Sequence, residues 1–298
     1  MESGKTLMQK TVVTSNPAFR EIVYGGHLLA LGTASISASS AIILGRSPSI
    51  ILLVMAYLFS YGAYMLNRGS EATQDSVSNP ARTNYLQGRS RYLTVVSGFC
   101  FGIGYLLAAT VNLTFLGVLL IPLVLAVTYT IGSKKLVSII GAKRLKDKLL
   151  VKNLVISFGW SLIPLLVGLY YKSIPFFLLA FAPFIFFRLM SNTVFFDLRD
   201  IRADSEFGVR TIPVVYGTNL AYRLMTIFDV VSAAYIFFLV AIRIFPTFTL
   251  LMIFLPAYSL FYRQISQSPG ANLGFLCDFV ADGEFLIWGP LLLLGKII

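Results

Sequence analysis

Asn67, Glu71 and Asp75 recur at i, i+4 and i+8 within the run Asn67-Arg68-Gly69-Ser70-Glu71-Ala72-Thr73-Gln74-Asp75. At about 100° per residue they drift only about 80° around a helix, so all three share one face. Asp197, Asp200 and Asp204 recur at i, i+3 and i+7 and fall within about 60° of one another. Acids stacked on one helical face repel by about 0.2–0.5 kcal/mol per pair, and a bound cation relieves that repulsion. Oxygen donors with no His or Cys beside them select a hard ion such as magnesium. Magnesium is commonly held by one or two carboxylates together with phosphate oxygens. Two such ridges facing each other have the chemistry to hold magnesium and a diphosphate between them. Taken singly, each ridge reads equally well as helix-end ion pairing with Arg68, Arg199 or Arg202.

The elements that must carry these ridges are apolar. The chain has 298 residues, 57% of them hydrophobic and 12% charged, with a mean hydropathy of +0.79. A soluble domain carries about 25% charged residues, so an ordinary water-soluble globule, a disordered chain and a collagen-like repeat are excluded. Crossing a bilayer takes about 20 mostly apolar residues. Nine segments qualify, at 22–45, 48–66, 93–111, 113–132, 150–171, 174–195, 220–242, 246–262 and 273–297. The expected fold is an all-α integral membrane protein with nine transmembrane helices: two related four-helix halves plus a final helix, in a single transmembrane domain over residues 1–298. A cytoplasmic N-terminal segment is expected over residues 1–20 and acidic motif loops over 67–92 and 196–218. The run from Ile22 lacks a small-residue cleavage site and reads as a retained helix rather than a signal peptide. The first acidic ridge follows the second helix of one half and the second ridge follows the second helix of the other. That recurrence favours one shared site over two sets of surface ion pairs.

Charge sets the expected orientation. The net charge is +11, and of the 24 Lys and Arg residues all but Arg46, Lys172, Arg243 and Lys296 are assigned to the N-terminal segment, the long loops or the adjacent helix ends. Positive charge stays on the cytoplasmic side, so the N-terminus and the motif loops are expected there. The basic excess is a topology signal, and no nucleic-acid partner is expected. Of the 13 acids, all but Asp229 fall in the same segments. Asp229 lies about two turns into the seventh helix and is placed outside the site; His27, the sole histidine, reads as a packing residue. Among the cationic residues, Arg210 in Gly208-Val209-Arg210-Thr211-Ile212-Pro213 is the first choice as a phosphate ligand, followed by Lys134 or Lys135. Most of the others read as anchors at anionic lipid. Tyr64, one turn before Asn67, and Tyr129, just before Lys134, present π faces suited either to an interfacial belt or to a reacting cation. No G-x-x-x-x-G-K-[ST], G-x-S-x-G or H-E-x-x-H run is present, which removes the sequence support for P-loop ATPases, elbow-type serine hydrolases and zinc proteases. Cys100 and Cys277 sit among apolar residues and suggest neither a disulfide framework nor a zinc module.

With both ridges and the Arg210-Thr211-x-Pro213 run, the chain resembles the UbiA superfamily of intramembrane prenyltransferases. The second ridge matches that family's D-x-x-D-x-x-x-D motif in full; the first matches N-D-x-x-D-x-x-x-D in part, with Arg68 and Glu71 standing where the family has Asp. The resemblance implies magnesium-dependent transfer of a prenyl group from an isoprenoid diphosphate donor to a lipophilic acceptor by ionisation of the allylic diphosphate. It assigns Asn67, Glu71, Asp197 and Asp200 as metal ligands, and Asp75 and Asp204 as second ligands or acceptor-side catalytic groups. Arg210 and Lys134 become diphosphate clamps, with Tyr64 and Tyr129 beside the substrate. An aromatic quinone precursor and a glycerophosphate-type lipid both fit as acceptor, with a lean towards the aromatic ring. The competing reading is a cation-coupled membrane transporter, whose acids belong near the bilayer midplane.

Overall fold

The computed structural model describes residues 16–131 and 148–297, without the side chains of residues 69–73, 90 and 125–131. The described residues are helical throughout, with no strand. The chain enters through a short helix α1 (Pro17–Tyr24), started by Asn16, whose side chain accepts from the backbone N–H groups of Ala18 and Phe19. It then bends by 58° into α2 (His27–Ile43). Gly26 makes the bend possible: it sits at φ +82° with the Tyr64 ring against it, and a Cβ would lie 2.3 Å from that ring. The first expected segment is therefore a broken helix.

The long helix α3 (Ile50–Ser78) continues through Asn67 and Asp75, and only Asn79 and Pro80 stop it. The Asn79 side chain accepts from Arg82 N–H, opening the short helix α4 (Pro80–Leu86). Two further apolar helices follow, α5 (Ser90–Ala109) and α6 (Leu113–Ile131). The second half opens with α7 (Val151–Ser161) and α8 (Ile163–Tyr170), with Pro164 in the first turn of α8. After a single helical turn comes α9 (Ala182–Glu206), which carries the whole second acidic motif before ending near Gly208 at φ +71°. Much of the two expected motif loops is thus helix, its acidic face tied down by partners on neighbouring helices. A short helix α10 (Ile212–Tyr216) and the long α11 (Thr218–Ala241) precede a 3₁₀ stretch, Thr247–Ile253, which runs into α12 (Phe254–Ser266).

The C-terminal segment is irregular. A π-helical turn over Leu276–Ala281 and a 3₁₀ turn over Glu284–Ile287 lead into α13 (Trp288–Ile297). Among the described residues, six helical spans are long and apolar enough to cross a membrane, seven when the bent α1–α2 pair counts as one. The span ending in α9 is the axis of the bundle: 67% of its most apolar window is buried, against 22–39% in the other five. Around it Phe181, Phe184, Phe285 and Trp288 interlock as a sealed aromatic core. Phe99, Leu106 and Phe237 point outward, as expected of a lipid-facing surface.

Candidate active site

A cavity of about 360 Å³ is lined by residues of α2, α3, α5, α6, α7, α8 and α9. Its apolar wall includes Leu52, Met55, Phe59, Phe115, Trp160 and Leu166, and its polar end includes Asn67, Arg68, Asp75, Arg199, Asp200 and Asp282. Along α3 the wall runs from Leu52 to Asn67, about 22 Å at 1.5 Å per residue.

The two acidic motifs converge on that polar end. Asp75 from α3 and Asp200 from α9 face the same cavity, and Gln74 Nε2 donates to Asp204 Oδ1 at 2.9 Å across the seam. Arg68 reaches forward along α3 to Asp75, with Nη1 2.8 Å from Oδ2, while its guanidinium lies 4.6 Å from the Tyr64 ring centre. Arg82 on α4 joins Asp75 (3.1 Å) to Asp278 (2.8 Å). Arg199 grips its neighbour Asp200 through Nε and Nη2, at 2.7 and 2.9 Å, and also donates to Asp278 at 2.8 Å. Asn79 adds a further hydrogen bond to Asp278. One chain of alternating charge therefore ties α3, α4, α9 and the π-helical turn together. Burial alone pushes the Asp75 carboxyl up, but the Arg68 and Arg82 guanidiniums outweigh it and hold Asp75 below the usual carboxylate range.

Asn67, Tyr64, Asp75 and Asp200 lie on the cavity wall. Asp197 is fully buried and turned towards α7, where it accepts from Lys152 Nζ at 2.8 Å and Asn153 Nδ2 at 2.9 Å; Lys152 itself reaches the cavity. Asp204 is fully buried and does not line the cavity. The three acids share a face but span about 10 Å along α9, so each meets a different neighbour: Asp197 meets α7, Asp200 the cavity and Asp204 the Gln74 side chain of α3. Arg210 is exposed and does not line the cavity either. Lys134, Lys135 and the side chains of Glu71 and Tyr129 lie outside the described residues.

Sequence reasoning passed over Arg68, Arg82, Arg199 and Lys152 as ion-pairing or lipid-anchoring residues, and it gave Asp278 and Asp282 no role. Arg82 is fully buried and Arg199 4% exposed. By contrast Arg202, three residues on, makes the ordinary surface pair with Glu206 at 82% exposure. The available signal was adjacency: Arg68 and Arg199 each follow or precede a motif residue by one position. Arg188 belongs to neither cytoplasmic loops nor helix ends: it is fully buried within α9, bonded to Asp229 and Glu284.

The donor set suits magnesium. Every candidate ligand is oxygen, and no group of three metal-binding acids or histidines forms among the described residues. The wall thus fits the mode in which one or two carboxylates share the ion with phosphate oxygens.

Comparison with known proteins bears on what this cavity is. Residues 28–272 match the model of the UbiA prenyltransferase family. A digeranylgeranylglyceryl phosphate synthase of Methanopyrus kandleri is 25% identical over 194 residues, which is 62% of this chain and 64% of that protein's length. The fold is shared with a UbiA homologue of Archaeoglobus fulgidus bound to GPP and Mg2+ (TM-score 0.65, 14% identity, 93% of this chain and 98% of that one). It is also shared with a solved digeranylgeranylglyceryl phosphate synthase (TM-score 0.58, 15% identity, 93% and 99%). Matched over most of its length, this chain of multiple membrane-spanning helices belongs to the UbiA prenyltransferase family.

Proposed function

We propose that the protein is a magnesium-dependent prenyltransferase that moves a prenyl group from an isoprenoid diphosphate to a hydroxyl of a glycerophosphate-type lipid. The observation that carries this reading is the meeting of Asp75 and Asp200 at the polar end of one long apolar cavity, with Arg68, Arg199 and Lys152 beside them. An isoprenoid diphosphate has the same division: a highly charged head and a greasy tail.

The chain's own residues then divide the work. Arg68, Arg199 and Lys152 bind the diphosphate; guanidinium forks match phosphate oxygens, and lysine acts as a point charge. Asn67, Asp75 and Asp200 are the wall oxygens that would hold magnesium, with Glu71 the remaining candidate from the first motif. An ion held by these oxygens would supply positive charge to the departing diphosphate and so favour breakage of its bond to the allylic carbon. Asp197 keeps Lys152 extended towards the cavity. As the carbon–oxygen bond breaks, its electron pair leaves with the diphosphate, and the allylic cation is shielded by the rings of Tyr64, Phe59, Phe196 and Trp160. The tail lies along the apolar wall. The basic excess of the segments around it supports a cytoplasmic position for the polar end.

The acceptor follows the activity for which the Methanopyrus relative is named rather than the aromatic lean of the sequence. Three cationic side chains at the polar end also suit an acceptor that carries its own phosphate. The transporter reading loses ground: Asp229 and Glu284, the acids deep in the bundle, are closed off against Arg188 and do not line the cavity. The deciding experiment supplies purified protein in nanodiscs with geranylgeranyl diphosphate and either geranylgeranylglyceryl phosphate or a hydroxybenzoate. Diphosphate release and a lipid product by mass spectrometry are expected with the first acceptor and abolished by EDTA. Magnesium-independent turnover, or no product with either acceptor, overturns the reading.

A further inference from the structure

Among the described residues, seven acids are buried: Asp75, Asp197, Asp204, Asp229, Asp278, Asp282 and Glu284. Six of them are held by donors. Asp75, Asp197, Asp278, Asp229 and Glu284 pair with arginine or lysine, and Asp204 accepts from Gln74. Asp282 differs. It is 8% exposed, it lines the cavity, and among the described residues it accepts no hydrogen bond and makes no ion pair.

Its backbone explains how it comes to face the cavity. Asp278 and Asp282 are four residues apart and would share one face of an α-helix. The π-helical turn over Leu276–Ala281 intervenes, and such turns re-aim side chains, often at functional sites. Asp278 meets Arg82 and Arg199, whereas Asp282, the residue after that turn, reaches the cavity wall.

The proposed transfer needs a group that nothing above supplies. When the acceptor oxygen bonds to the allylic carbon, its proton must leave, and a base must take it. Asp75 is engaged by two guanidiniums and Asp204 does not reach the cavity, so neither acid assigned to the acceptor side is placed for that task. We propose that Asp282 is the catalytic base: its carboxylate receives the acceptor's hydroxyl hydrogen bond and takes the proton as the new carbon–oxygen bond forms. The allylic carbon–oxygen bond breaks, its electron pair departs with diphosphate, and the proton passes from acceptor to Asp282. This assignment rests on the prenyl-transfer reading and extends it to the acceptor. The charged groups around Asp282 are Arg68 from α3, Arg82 from α4, Arg199 from α9 and Asp278 from its own segment; they position acceptor and carboxylate together.

The test compares wild type, Asp282→Asn and Asp282→Glu as full chains in nanodiscs, with geranylgeranyl diphosphate and geranylgeranylglyceryl phosphate. Removing a general base costs at least about 100-fold in rate. Asp282→Asn is therefore expected to lose at least about 100-fold in kcat, with magnesium-dependent donor binding unchanged, which also reports an intact fold. Asp282→Glu is expected to restore most of the rate. The acidic limb of the wild-type kcat–pH profile should vanish in Asp282→Asn. Wild-type turnover in Asp282→Asn overturns the assignment while leaving the prenyl-transfer reading standing. Loss of donor or magnesium binding in both variants also overturns it, because Asp282 would then be a ligand or a structural group. No product from wild type overturns the function itself, and this assignment with it.

Discussion

Two buried networks of arginine and carboxylate stand in this bundle, and they differ in one respect. At the polar end of the cavity, Arg68, Asp75, Arg82, Asp278, Arg199 and Asp200 form a chain of which Arg68, Asp75, Arg199 and Asp200 line an internal space. Deeper along α9, Arg188 meets Asp229 and Glu284, and Arg263 meets Asp229 at 3.3 Å. Two positive and two negative groups balance there, Ser259 and the Leu255 carbonyl fill remaining positions, and none of these residues lines the cavity. The first network can exchange partners with a charged ligand. The second cannot, so its energy goes into holding α9, α11, α12 and the C-terminal segment in register. An ion pair inside a membrane protein thus reads as functional or structural according to whether a space adjoins it, and residue type alone does not decide.

The largest expected effect comes from breaking the closed network. Arg188→Met leaves Asp229 and Glu284 buried without their main partner, and such a loss costs about 3–5 kcal/mol. Thermal unfolding in detergent should show it, with donor affinity per folded molecule unchanged; an unaltered unfolding midpoint would break the contrast between the networks. The open network should behave the opposite way. Asp200→Asn is expected to lower prenyl transfer by about 10²–10³-fold, yet to leave the unfolding midpoint near wild type, because Arg199 keeps Asp278. Full turnover in that variant would remove Asp200 from the site.

A smaller effect concerns acid. Because Arg68 and Arg82 hold Asp75 below the ordinary carboxylate range in the folded protein, the pair's stabilisation is fully present above about pH 4, where the unfolded carboxyl titrates. It is lost as pH falls through the depressed folded value. Unfolding midpoints of wild type should therefore drop in acid more steeply than those of Asp75→Asn; parallel curves would show that the guanidiniums contribute nothing. The smallest effect is expected at the surface, where Arg202→Ala breaks an exposed pair with Glu206 and should change stability by about 0–1 kcal/mol. A cost comparable to that of Arg188→Met would mean that burial does not separate these pairs.

The legible part of the site was its periodicity. Asn67 and Asp75 were placed together by spacing, as were the three acids of α9, and two ridges after corresponding helices pointed to one shared site. What spacing could not report was which member of a ridge meets empty space. Asp197 turned towards Lys152 and Asn153, and Asp204 towards Gln74, because α9 has neighbours on several sides. Nor did spacing separate Arg199 from Arg202, three residues apart and nearly on one face, of which one is 4% and the other 82% exposed. The continuation of α3 to Ser78 and of α9 to Glu206 was equally hidden, since polar residues past an apolar run look like a loop.

Apolar run length, charge asymmetry and the spacing of the acids, all properties of the chain taken alone, determined that this is a helical membrane protein and roughly where its candidate oxygen ligands lie. The bend at Gly26, the breaks near Pro164 and Glu284, the convergence of α3 with α9 and the choice between Asp278 and Asp282 as the residue that meets the cavity were decided only in three dimensions. The reason is physical: hydrophobic burial depends on the total apolar area removed from contact with water and is nearly blind to direction, whereas ion pairs and hydrogen bonds depend on which partner stands opposite, and that is settled only when distant segments pack.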